Sequence, residues 1–171
     1  MINLIQIDKS GSDILEKDYS IVLIINKNNI YGINIPQKLK DKVLHEFNLG
    51  NLFKKTNKNT YRTRLRVRLH TATVILLLRK GILDLKIAGD IVLEICNDFD
   101  GHFHEIKDMI HKHLIKLIPS INSWDILQVK FVKPSFIDEV GEKIRKRDIN
   151  KLENYHSVEI KAEELIEILR K

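Results

Sequence analysis

The stretch Met1-Ile2-Asn3-Leu4-Ile5-Gln6-Ile7-Asp8-Lys9-Ser10-Gly11 decides how the rest of the chain is read. Ile2, Leu4, Ile5 and Ile7 form a nearly continuous apolar run, stopped by Asp8, Lys9, Ser10 and Gly11. A run this short, closed by small residues, reads as a buried strand that delivers one carboxylate to its carboxyl end. A carboxylate placed there is costly unless it is paired, hydrogen-bonded or holding a cation. The simpler role for Asp8 is to cap the turn with its own side chain, as Asp often does.

Outward from this strand, Tyr19 to Ile25 is dense in β-branched residues and reads as a second strand. A polar turn, Asn26 to Asn29, leads to a third strand, Ile30 to Ile35, closed by Pro36. Strand, short turn, strand is a hairpin signal, so these two are expected to be antiparallel. Gln37 to Leu49 is expected to be helical, with Leu39, Val43, Leu44 and Phe47 on one face and Gly50 ending it. The alternating Arg62, Arg64, Arg66 and Arg68 would suit a strand with one basic face. Leu65, Leu69, Ala72 and Leu76 favour a helix instead, stopped at Gly81 after Arg79 and Lys80. Gly89 to Asp98 reads as a fourth strand, again acidic at its end. A helix opens at Asp100 and Gly101, carries the stripe Phe103, Ile106, Ile110, Leu114 and Leu117, and stops at Pro119. Asp125 to Val132 is a fifth strand, and Pro134 begins a helix running to about Leu152. From Val158 the tail is a short extended piece and a small amphipathic helix.

At 171 residues the chain is expected to be one domain, with a core over about 1–152 and an extension over 153–171. Lysine and arginine exceed the acids, 29 to 23, for a net charge of +6 and a pI near 9.3, a balance that favours a polyanionic partner. Cys96 is the single cysteine, which excludes an internal disulfide or a multi-cysteine zinc site and fits a reducing cytoplasm. No signal peptide is legible, and no apolar stretch approaches the ~20 residues of a membrane span. A cytoplasmic protein without membrane contact is therefore expected.

The two late strands flank a helix, which implies a right-handed crossover and parallel pairing. With the early hairpin this gives an α/β domain with a mixed sheet covered by helices. The order of elements over Ile2 to Leu152 resembles the ribonuclease H-like superfamily. That resemblance implies a five-stranded sheet, three antiparallel strands and then two parallel, with the first and fourth strands adjacent in its middle. Ile7-Asp8-Lys9-Ser10-Gly11 also resembles the first-strand motif of type 2 ribonucleases H, Asp-Glu-Ala-Gly or Asp-Glu-Ser-Gly. Here Lys9 stands where those proteins carry the second acid. Phe136 to Glu153, around Lys-Ile-Arg-Lys-Arg-Asp, is similar to the helix after their last strand.

The resemblance implies phosphodiester cleavage with two divalent cations held by three or four carboxylates, and oxygen ligands suit Mg2+ or Mn2+. Carried over by position, Asp8 ends the first strand, Asp98 ends the fourth, and Asp138 opens the helix after the fifth. These three are the candidate metal ligands. Glu94, four residues before Asp98, falls on the same strand face and joins them as a candidate catalytic residue. Asp100 and Glu139 are substitutes one boundary away. Each has a simpler role: Asp98 or Asp100 as a helix cap, Ser135 with Asp138 as a capping pair, Glu94 as the partner of an arginine.

The segment Lys54, Lys55, Lys58, Tyr61, Arg62, Arg64, Arg66 and Arg68 is the candidate nucleic-acid surface, with cations for phosphates and an aromatic ring for stacking. A solvated helix face would need the same residues. Lys143, Arg145, Lys146 and Arg147 read as a solvated helix surface. His102, His104, His111 and His113 come as two pairs, and residues two apart on a helix diverge, so no histidine metal site is expected. Three functions follow: a metal-dependent nuclease, or protein derived from one, acting on RNA, DNA or a hybrid; a non-catalytic nucleic-acid-binding module using 54–68; and a protein-interaction or assembly subunit, which a large exposed apolar patch or an obligate dimer would mark. Lys9 in place of an acid favours the second.

Overall fold

A computed structural model describes residues 2–16, 19–53, 58–118, 127–132 and 137–170, with side chains for all of these except 58–60, 117, 137 and 138. Three strands come first, β1 (Ile2–Ser10), β2 (Ser20–Ile25) and β3 (Asn29–Asn34). Helices α1 (Gln37–Asn48) and α2 (Lys58–Asp84) follow, then β4 (Asp90–Cys96), α3 (Phe103–Leu117), β5 (Leu127–Val132) and α4 (Ile137–Arg145). A 3-10 turn (Ile149–Lys151), β6 (Tyr155–Ser157) and α5 (Ala162–Arg170) complete the chain.

The strands form one mixed sheet in the order β5-β4-β1-β2-β3-β6. β1 is antiparallel to β2 and β2 to β3, while β1–β4, β4–β5 and β3–β6 are parallel. The first and fourth strands are thus neighbours, in register with Gln6 beside Glu94 and Ile7 beside Ile95. Six strands stand where five were expected. The extra one, Tyr155-His156-Ser157, is a three-residue edge strand too short and too polar to show alternation.

The two faces of the sheet are unequal. Ile5, Ile7, Leu23, Ile25, Leu93 and Ile95 meet Leu65, Leu69 and Ala72 of α2 and Ile110 and Leu114 of α3 in the main core. The other face carries a small cluster, Val22 and Ile24 against Val140 and Ile144 of α4. Being covered on both sides, β2 is buried along its whole length. Among the described residues, no helix is long and apolar enough to cross a membrane.

Two helix boundaries depart from expectation. Gly81 lies inside α2, which runs on to Asp84. A Cβ at Gly81 would sit 2.7 Å from Ile25 Cδ1, so this glycine lets the helix approach β2 and does not stop it. α4 ends at Arg145, and the left-handed Arg147 (φ 60°) turns the chain into the 3-10 segment that replaces the expected helix to Leu152.

Candidate functional site

The parallel pairing of β1 with β4 places their carboxyl ends side by side. Along β1, Ile5 and Ile7 face the main core, so alternation turns Gln6 and Asp8 toward the α4 face. Along β4, Leu93 and Ile95 face the core, so Glu94 and Cys96 turn the same way as Gln6 and Asp8. Extending the register by one residue pair beyond Gln6–Glu94 and Ile7–Ile95 puts Asp8 beside Cys96. The chain then bends, with Asp98 N–H donating to the Cys96 carbonyl at 3.0 Å, and returns a second carboxylate to the same place. One ligand atom each from Asp8, Cys96 and Asp98 lies within 4.8 Å of the others. Asp8 and Cys96 are buried and Asp98 faces solvent.

Burial, and after it the two carboxylates, push the Cys96 thiol far up, so it remains protonated and within hydrogen-bonding reach of both. Lys9 Nζ lies 3.5 Å from Asp98 Oδ1 and donates to the Gly11 carbonyl at 3.3 Å. Tyr19 and His70 back the site on the core side, Tyr19 Oη and His70 Nδ1 being 3.1 Å apart. Burial first, and then Asp98, Asp13 and Asp8, hold the Tyr19 phenol well above its ordinary pKa. Burial, and then the Lys9 charge, lower His70 to about 3, so this ring is neutral. From the other face α4 crosses closely, with a Cβ at Gly141 falling 3.5 Å from Ser10 Cβ and 3.6 Å from Val22 Cγ1. Ser20 Oγ donates to the Gly141 carbonyl and Arg145 Nε donates to Ser10 Oγ.

Of the residues singled out in the sequence, Asp8 and Asp98 are brought together. Glu94 is not part of that group: Gln6 Nε2 donates to Glu94 Oε2 at 3.0 Å, so the amide of the neighbouring strand is the partner a mid-strand glutamate needs. Asp138 lies in the first turn of α4, three residues before Gly141, and its side chain is outside the described residues. Asp100 and Glu139 are exposed. The residues that sequence reasoning passed over are Cys96 and Tyr19. The signal for Cys96 was its position two residues from Glu94 on one strand face, which acquires meaning only once β1 and β4 are paired.

The basic segment has a different fate. Lys54 and Lys55 lie outside the described residues, as does the side chain of Lys58. Tyr61 is buried, its ring stacked 4.0 Å from Phe47, so it is not open to a base. Arg64 and Arg68, one turn apart, both bind Glu105 Oε1 of α3, at 2.9 and 2.7 Å. Arg66 pairs with Asp13 at 2.5 Å, and Arg62 is exposed. Three of the four arginines therefore hold this chain's own acids.

Comparison with protein-family models, with curated proteins and with solved structures finds no match.

Proposed function

We propose that the chain is a divalent-cation-dependent nuclease, or a protein derived from one, on a ribonuclease H-like fold, acting on nucleic-acid phosphodiesters at the joined ends of β1 and β4. The observation that carries this reading is the meeting of Asp8, Cys96 and Asp98 within 4.8 Å, drawn from two strands that lie far apart in sequence. The central, parallel β1–β4 pair within a mixed sheet supports it, because that pair is what the resemblance requires.

The donor set fits the expected ion. Two carboxylates suit Mg2+ or Mn2+, and the protonated Cys96 thiol beside them is not counted among the ligands. Such an ion, when bound, activates water and stabilises the leaving oxygen. Asp8, fixed in a paired strand, sets the position of the charge, and Asp98, on the bend after β4, completes it. Lys9 holds one positive charge at the same end and can donate to a non-bridging phosphate oxygen. Tyr19, kept protonated and bonded to His70, closes the core side against water.

A second reading has its own observation. The Lys9 ammonium already compensates Asp98 without a cation, as a non-catalytic nucleic-acid-binding protein would need. Calorimetric titration with manganese separates the two, using the wild type, Asp8→Asn and Asp98→Asn. Uptake lost in both variants, together with manganese-dependent cleavage of RNA, DNA or a hybrid, is the expected result. Salt-sensitive nucleic-acid binding with neither manganese uptake nor cleavage would replace the nuclease by the binding module.

A further inference from the structure

At the β6 edge of the sheet the pairing stops before β3 does. The last rung sets Gly32 beside Ser157 and is closed by Val158 N–H, which donates to the Gly32 carbonyl at 2.9 Å. Past this rung the chain leaves β3 through Val158, Glu159 and Ile160, and a cavity of about 490 Å3 lies between that segment and the end of β3. Cavities of this volume hold small molecules.

Two separate apolar layers wall the cavity. Ile33, Val158 and Ile160 belong to the main core, whereas Ile144, Ile149 and Tyr155 belong to the cluster beneath α4. The space therefore runs in line with the sheet, with an apolar surface on either side, and its shape suits a flat ring. Asn34, the last residue of β3, stands between the walls. Ile35 N–H donates to the Tyr19 carbonyl, so by alternation the main-chain N–H and C=O of Asn34 point away from β2, as those of Gly32 do. Among the described residues, no main-chain hydrogen bond reaches Asn34 from that side. Its carboxamide is fixed by Nδ2 donating to the Ile144 carbonyl at 2.8 Å, and Oδ1 is shielded from water without a partner. One residue thus brings one donor and two acceptors to an otherwise apolar enclosure, where polar groups are normally matched. Charge at the cavity is balanced: Arg147 and Glu159 both line it, and both are exposed. A neutral occupant with a polar rim is favoured over a charged one.

We propose that this cavity binds the adenine base of a neutral nucleoside, held flat between the two apolar walls. Adenine carries a donor at N6 and an acceptor at N7 side by side on one edge, the complement of the Asn34 C=O and N–H. The second hydrogen on N6 is available to Asn34 Oδ1. β2 separates this end of β3 from β1, and the proposal does not rest on the nuclease reading.

Nuclear magnetic resonance of the isotope-labelled chain, titrated with adenosine, reads the contact at Asn34 itself. Adenosine should shift the Asn34 amide signal and slow its exchange with solvent several-fold. An Asn34 amide that does not respond overturns the proposal. Inosine carries a carbonyl where adenosine carries its amine, which sets acceptor against acceptor, and it should bind about tenfold more weakly. Equal binding of the two nucleosides would mean that the walls alone select, and it overturns the assignment. Ile160→Trp fills the cavity from a half-buried position and should abolish the response, whereas a folded Ile160→Trp that still binds adenosine refutes the site. Glu159→Gln, at an exposed position, should bind adenosine as the wild type does and gain several-fold for adenosine monophosphate, since Arg147 is then uncompensated. No such gain places the ligand away from these walls and counts against the proposal. A short oligoadenylate that shifts the Asn34 signal at lower concentration than adenosine overturns the nucleoside and assigns the base to a strand.

Discussion

An ammonium 3.5 Å from Asp98 performs part of the neutralisation that a bound cation would perform. At that separation two unit charges interact by about 1–4 kcal/mol at surface-like dielectric values. Lys9→Ala should therefore tighten manganese binding by roughly tenfold, read by calorimetry, whereas an unchanged affinity would mean that Lys9 does not compete for the same carboxylate. His111 offers a separate, global observable. It is fully buried on α3, and burial, with Lys107 adding to it, lowers its pKa to about 4. The unfolded chain takes up this proton near pH 6.5 and the folded chain only near 4, so stability climbs as pH rises through that window and is flat above it. The rise attributable to His111 should be about 2–3 kcal/mol, and His111→Leu should remove it from urea-unfolding curves recorded between pH 4.5 and 7.

Helices α2 and α3 are joined by Glu105, whose single oxygen accepts from both Arg64 and Arg68. Glu105→Gln should lower stability by about 1–3 kcal/mol, since it leaves two half-buried guanidiniums facing a neutral amide. The same variant should bind nucleic acid more tightly at low salt, because it releases two cations to solvent. Gly81→Ala gains helix propensity yet places a methyl 2.7 Å from Ile25 Cδ1, and overpacking of this kind costs about 1–3 kcal/mol. A melting temperature unchanged or raised in Gly81→Ala would show that Ile25 yields without strain. The elements that were legible in sequence were those with a strong period. The apolar runs of β1, β2 and β4 could be read directly, and so could the stripe of α3. Gly81 was misread because a glycine that ends a helix and one that lets it touch a strand look alike in one dimension. β6 was missed because its pairing is to β3 and leaves no mark in three residues. Cys96 is buried, but its meeting with Asp8 belongs to register, which no single strand displays.

At the scale of the whole molecule, the last segment is bound into the main core. Leu165 and Leu169 of α5 are fully buried there, in contact with the layer built by α2, and α5 also packs on α1. Leu169→Ala should cost about 2–5 kcal/mol, measured by urea denaturation, and a chain ending before Ala162 should lose more than that single substitution. The seam between β1 and β4 joins segments separated by the whole of β2, β3, α1 and α2, and it carries the chain's one thiol. Because Cys96 is buried beside Asp8 and Asp98, a thiol reagent reaches it by the opening that a cation would use or when the molecule unfolds. Its labelling rate, compared with the rate of global unfolding, is accordingly a built-in gauge of how open the carboxylate site is to solvent, obtainable without adding a probe or changing a residue.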